Sequence, residues 1–144
     1  MTKRHVTRKV VVHCSATYPD MDIGFKEIDE WHKAKGWAGC GYHFIIRRDG
    51  CVEFGRPVGD VGAHVRGWNS SSVGICLVGG LSRTTGKGEN NFTKQQFRSL
   101  RRLYDVLLLA YPDTAWCGHH DLDAGKECPC FSVHDWIKET VDAA

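Results

Sequence analysis

Five residues carry the chemistry that stands out in this chain. His13 closes the run Lys9-Val10-Val11-Val12-His13-Cys14, while His119, His120, Cys128 and Cys130 fall within Gly118-His119-His120-Asp121-Leu122-Asp123-Ala124-Gly125-Lys126-Glu127-Cys128-Pro129-Cys130. An imidazole at the end of a valine run needs a hydrogen-bond partner or a metal, and by itself it is more often a satisfied core histidine than a ligand. His119 and His120 are adjacent, so on an extended segment they point to opposite sides and one of them faces a given site. Cys128 follows across a loop containing Gly125, which can turn back and present a thiolate beside an imidazole. Two imidazoles and one thiolate suit zinc: three protein ligands with an open position describe a catalytic site, whereas a fourth ligand from Cys14, Cys117 or Cys130 would make it structural. The rival chemistry is redox, but Cys128-Pro129-Cys130 is a CxC pair rather than CxxC, and no thioredoxin-type helix start precedes it.

The elements that must position these groups are legible in the pattern. Lys9 to Cys14 reads as a strand buried on both faces. Phe25, Ile28, Trp31 and His32 recur at helical spacing between Gly24 and Lys35, with Gly36 as the stop, which assigns Trp31 to packing. His43 to Arg47 and Cys51 to Phe54 flank Arg48-Asp49-Gly50, a strong hairpin signal. Ser72 to Val78 is a further buried strand, and Arg83 to Asn91 a polar surface loop. Thr93 with Gln96 forms a capping box for the longest helix, whose stripe Phe97, Leu100, Leu103, Tyr104, Leu107, Leu108 and Tyr111 runs to Pro112. A strand from about Thr114 to Gly118 delivers the chain to the His/Cys segment and assigns Trp116 to packing. Ser132 and Asp135 cap a C-terminal helix with Val133, Trp136, Ile137 and Val141 inward. Strands interspersed with helices and one hairpin predict a single α/β (α+β) domain over 1–144 with a central mixed sheet.

Bulk properties narrow the function. The 144 residues suffice for one hydrophobic core, and 42% hydrophobic with 25% charged residues is ordinary for a globular domain. A formal net charge of +2 gives too little field to argue for nucleic acid, although Lys3, Arg4, Arg8 and Lys9 make the N-terminus locally basic, with residues 1–8 a solvated arm. The opening carries only a three-valine apolar run, so neither a secretory leader nor a membrane anchor is expected. Seven cysteines, an odd set, fit reduced thiols better than a disulfide framework.

Several motifs in one order add a resemblance. Val11-Val12-His13-Cys14-Ser15-Ala16-Thr17, Trp31-His32-Lys33, Gly36-Trp37, Gly41-Tyr42-His43-Phe44-Ile45-Ile46-Arg47-Arg48-Asp49-Gly50, Gly62-Ala63-His64, Trp68-Asn69, Ser72 to Gly80, Asn91-Phe92-Thr93, His119-His120 and Lys126-x-Cys128-Pro129-x-Phe131 together resemble the zinc amidases of the bacteriophage lysozyme type. These are N-acetylmuramoyl-L-alanine amidases, related in fold to peptidoglycan recognition proteins. The resemblance spans about residues 10 to 137. It departs in a His119-to-Cys128 loop one residue longer than the pattern, and in Ser132 where Asp often follows the Phe.

The resemblance implies one zinc ion held by His13, His119 (rather than His120) and Cys128, with Tyr42 as the active-site phenol and Lys126 as the catalytic ammonium. It further implies a groove lined by Trp37, His64, Trp68 and Asn69. Related proteins that only bind cell wall typically lack the thiolate of Cys128, which favours an enzyme. The expected substrate is the lactyl amide of peptidoglycan, cut by a monomeric phage or prophage endolysin that is made in the cytoplasm and reaches the wall by another route. Two other readings are a non-catalytic peptidoglycan-binding module of the same fold and a cytoplasmic regulatory protein acting through the basic arm.

Overall fold

A computed structural model describes residues 2–142. Five strands, β1 (Lys9–Cys14), β2 (Phe44–Ile46), β3 (Val52–Phe54), β4 (Ser72–Leu77) and β5 (Ala115–Gly118), form one sheet in the order β3-β2-β4-β1-β5. β1 pairs in parallel with β4 and β5, β2 is parallel to β4, and β3 is antiparallel to β2. The mixed sheet is therefore as expected. β1 lies between two neighbours, and its valines are fully buried, which is why the strand reads as an unbroken apolar run instead of an alternation.

Helix α1 (Phe25–Ala34) starts where Glu27 accepts the Gly24 N–H at 2.7 Å and ends at Gly36, whose φ of +91° suits a residue without a Cβ. Its inward residues are Ile28 and His32, one helical turn apart, whereas Trp31 is 41% exposed. The packing role expected for Trp31 is thus incorrect: a position three on from Ile28 but one before His32 falls off the narrow buried stripe. Helix α2 (Lys94–Ala110) has the predicted capping box, with Thr93 Oγ1 accepting from Gln96 N at 3.1 Å and Gln96 Oε1 from Thr93 N at 2.9 Å. The same Gln96 amide donates to the carbonyls of Ile46 and Val78, fixing the helix start to the ends of β2 and β4.

Leu100, Leu103 and Leu107 of α2 pack with Val10, Val12, Phe44, Ile46, Val73, Ile75, Leu77, Trp116, Val133 and Trp136. Each such aliphatic side chain contributes about 1.5–3 kcal/mol. Two smaller clusters involve the intervening residues: Ile45 and Cys76 pack with Ile28, and Val11 packs with Val65 and Cys117. The expected C-terminal helix is two pieces, α4 (Val133–Trp136), capped by Ser132 Oγ, and a wider π-helical turn over Ile137–Asp142.

Residues 2–8 do not form a free arm. Arg4 donates to the carbonyls of Val58 and Asp60, Lys3 pairs with Asp60 at 3.3 Å, and Val61 N–H donates to Thr2. Those two cations are used in docking the segment onto the 57–61 loop, which weakens the reading of a regulatory basic arm. No described helix is long and apolar enough to cross a membrane.

Candidate metal centre

The site forms at the carboxyl ends of β1 and β5, where open sheets of parallel strands place their ligands. The β1–β5 register sets Val12 opposite Gly118, so the next residues, His13 still in β1 and His119 just past β5, stand side by side. His119 opens a short helical turn, α3 (His119–Leu122), which the sequence reading did not anticipate; Asp121 Oδ2 accepts the Gly118 N–H at 2.8 Å and starts it. The loop then returns, and His120 N–H donates to the Cys128 carbonyl at 2.8 Å, bringing the cysteine back beside α3. Gly118 makes room for this return, since a Cβ there would lie 2.7 Å from Pro129.

His13, His119 and Cys128 consequently place their donor atoms within 4.8 Å of one another. His13 Nδ1 and His119 Nδ1 face each other at 3.1 Å; two nitrogens bound to one tetrahedral zinc would stand about 3.3 Å apart. Cys128 Sγ accepts the backbone N–H of Cys14 at 3.0 Å, which fixes the sulfur against the end of β1. Among the described residues this is the one group of three or more His, Cys, Asp or Glu that could hold a metal. Neither His120 nor a second cysteine joins it as a fourth ligand, and His120 instead lies 3.7 Å from Asp121. The donor set fits zinc with an open position rather than a closed structural site.

Burial sets the protonation. His13 is held well below the usual imidazole range, first by burial and then by its neighbours His64 and His119; His119 is lowered by burial and by the Lys126 charge. Both rings are neutral at ordinary pH and keep lone pairs for a cation. Burial and the surrounding thiols push the Tyr42 phenol well above its ordinary value, so at 5.1 Å from the His13 ring it remains an O–H donor. Cys14 is pushed up to about 12, first by its hydrogen bond with Cys128.

Behind His13 lies a relay that the sequence did not disclose. With Nδ1 of His13 turned to the cluster, the ring proton sits on Nε2 and donates to His64 Nδ1 at 2.8 Å. His64 Nε2–H then donates to Ser72 Oγ at 3.2 Å, and the Ser72 hydroxyl to the Trp68 carbonyl at 2.8 Å. Every donor has one acceptor in one direction, which fixes both the tautomer and the ring angle of His13. His64 is buried in this relay, and Asn69 Oδ1 is spent on the N–H groups of His64 and Val65. The Trp68 ring packs on Val11, Val65 and Cys117, with Lys9 over it at 5.0 Å. Of the four residues expected to line a groove, Trp37 alone is exposed, its ring tilted against His32 with centroids 4.5 Å apart. The motif Gly62-Ala63-His64 was visible in sequence, but nothing local says that its imidazole turns inward toward β1.

Replacing His64 by alanine is expected to weaken metal affinity about 10- to 100-fold while the fold persists, as loss of such a partner does elsewhere. Titration with a competing chromophoric chelator, beside circular dichroism, measures this. Wild-type affinity in the variant would exclude the relay.

Acid should destabilise the metal-free protein through the buried imidazoles. Burial lowers His43 to about 4 and His64 to about 3. An unfolded histidine near 6.5 binds protons that the folded one refuses, so the stability is fully present above pH ~6.5 and is lost as pH falls toward 4. Each residue contributes a slope of about 1.4 kcal/mol per pH unit in that window. Urea melts at pH 7, 6 and 5 in chelator check this; a flat profile would mean that these rings take up protons as readily in the fold as in the unfolded chain.

A family model described as N-acetylmuramoyl-L-alanine amidase matches residues 3–131. The chain belongs to this amidase family. Within it, the chain is 51% identical to an endolysin of Enterobacteria phage K11 over 95% of its own length and 89% of the relative's. Among solved amidases it superposes on the endolysin LysCS from Clostridium intestinale with TM-score 0.83 and 33% identity, covering 98% of this chain and 87% of that one. Drosophila PGRP-LB shares the fold, with TM-score 0.73 at 21% identity over 98% and 88% of the two chains.

Proposed function

We propose that this member of the amidase family is a zinc-dependent endolysin that hydrolyses the lactyl amide between N-acetylmuramic acid and L-alanine in peptidoglycan. The observation that carries the reading is the convergence of His13 Nδ1, His119 Nδ1 and Cys128 Sγ, in a chain whose relatives are phage endolysins. When bound there, one zinc ion would supply a Lewis acid that acidifies water and polarises the scissile carbonyl.

The protein's own groups take the remaining roles. His13 is held by the His64–Ser72 relay, which keeps Nδ1 free of a proton. Tyr42, protonated and beside His13, offers an O–H to the amide oxygen or to the attacking water. Lys126 lies on the exposed turn closed by its own N–H to Asp123 and acts on the His119 side of the cluster. Its ammonium offsets negative charge on the carbonyl oxygen as the tetrahedral carbon forms. Collapse of that carbon breaks the C–N bond and expels the alanine amine, which takes the proton given up by the attacking water. Trp37 remains the candidate face for packing against a sugar. One chain carries every candidate ligand, so a monomer suffices.

The test is digestion of purified cell wall with and without chelator, followed by mass spectrometry of the released material. Free L-Ala-terminated peptides that vanish on chelation and return with zinc are expected. Wall binding without peptide release would leave a recognition module instead.

A further inference from the structure

The candidate ligand Cys128 has two sulfur neighbours that the reaction does not use. Cys14, the last residue of β1, gives its N–H to Cys128 Sγ, and its thiol is in hydrogen-bonding contact with both Cys128 and Cys130. Cys130 also approaches the Gly80 carbonyl at 3.5 Å. Gly80, at φ +95°, leaves the space the Cys14 sulfur occupies: a Cβ there would stand 2.7 Å from Cys14 Sγ. Cys130 itself sits at φ +72°, a conformation that rarely hosts a side chain, and its N–H donates to Glu127 at 2.8 Å. The two sulfurs thus flank the same residue, Cys14 on the Cβ side of Gly80 and Cys130 at its carbonyl. The exposed Cys51, by contrast, lies at the distant hairpin.

We propose that Cys14 and Cys130 form a reversible dithiol that closes to an intramolecular disulfide in oxidising surroundings and clamps the metal-bearing loop to β1. Cys128 is the excluded partner, because its sulfur is directed to His13 and His119 and a bond through it would withdraw it from the cluster. In the closing step each thiol loses its proton and the two sulfurs together lose two electrons. An oxidant of the diazene class takes both protons and both electrons across its N=N bond and leaves as the hydrazine. A low-molecular-weight disulfide acts equivalently by exchange and leaves as two thiols. Closure joins residues far apart in sequence, so it restricts the unfolded chain strongly. A protein that is open in a reducing compartment would then become more robust in an oxidising one.

The experiment treats the full-length protein, zinc-loaded and zinc-free in parallel, with diamide. Remaining thiols are blocked with iodoacetamide, and unreduced peptides are mapped by mass spectrometry. The expected product links Cys14 to Cys130, carries the alkyl label on Cys128 in the zinc-free sample, is reversed by dithiothreitol, and melts roughly 5 °C higher than the reduced protein. The C130S variant should melt like the reduced wild type and gain nothing from diamide. A Cys14–Cys128 link, or no link to Cys14 at all, overturns the proposal. The zinc-free arm reads the cross-link without the metal, so failure of the zinc assignment and failure of the dithiol are separable.

Discussion

Cys128→Ala is expected to remove the metal and cell-wall digestion together. The thiolate is one of three donors and the one that partly neutralises the cation, so its loss leaves two neutral imidazoles, His13 buried and His119 half-buried. Outer-shell partners alone are worth about 10- to 100-fold in metal affinity, and a direct ligand is worth more. Zinc content by mass spectrometry should fall from one per chain to near zero after dialysis, and peptide release should fall with it. His13→Ala should behave likewise, with additional destabilisation because His64 Nδ1 then lacks its donor. The side chain of Cys128 is only half-buried and contributes little to the core, so the folded variant can be compared directly. Stoichiometric zinc and full rate in Cys128→Ala would overturn the ligand set.

Lys126→Ala and Tyr42→Phe should separate binding from turnover. Neither residue supplies a donor atom to the cluster, so zinc content should stay at one per chain. If the ammonium stabilises charge on the carbonyl oxygen, removing it costs about 2.7–4 kcal/mol of transition-state stabilisation, or roughly 100- to 1,000-fold in kcat. Tyr42→Phe keeps the ring packed beside His13 and His32 while deleting the O–H, and the drop should again fall on kcat, with KM nearly unchanged. An unaltered kcat in Lys126→Ala would assign that lysine to the solvated loop alone. Loss of zinc in Tyr42→Phe would make the phenol a support for His13 instead of a participant in turnover.

The sequence by itself determined the sheet strands, the two longer helices and the identities of the candidate donors, but not the short turn α3 or the break after Trp136. β1 was legible because a strand buried on both faces must be continuously apolar. α2 was legible because its stripe and its Thr93/Gln96 box agree. His13, His119 and Cys128 were named through motif order, and the fold brings those three together because parallel pairing of β1 with β5 sets the first two side by side and the loop returns the third. Direction was what the one-dimensional pattern withheld. Trp31 sits on an apolar period yet faces solvent, since helical spacing gives a face but not the width of what covers it. His64 and Asn69 have the chemistry of groove residues yet turn inward, because a buried Nε2–H on His13 needs an acceptor and two loop N–H groups need an oxygen. Those demands arise only once distant strands are adjacent, so tertiary structure alone decided which polar side chains face a substrate and which serve the residue in front of them.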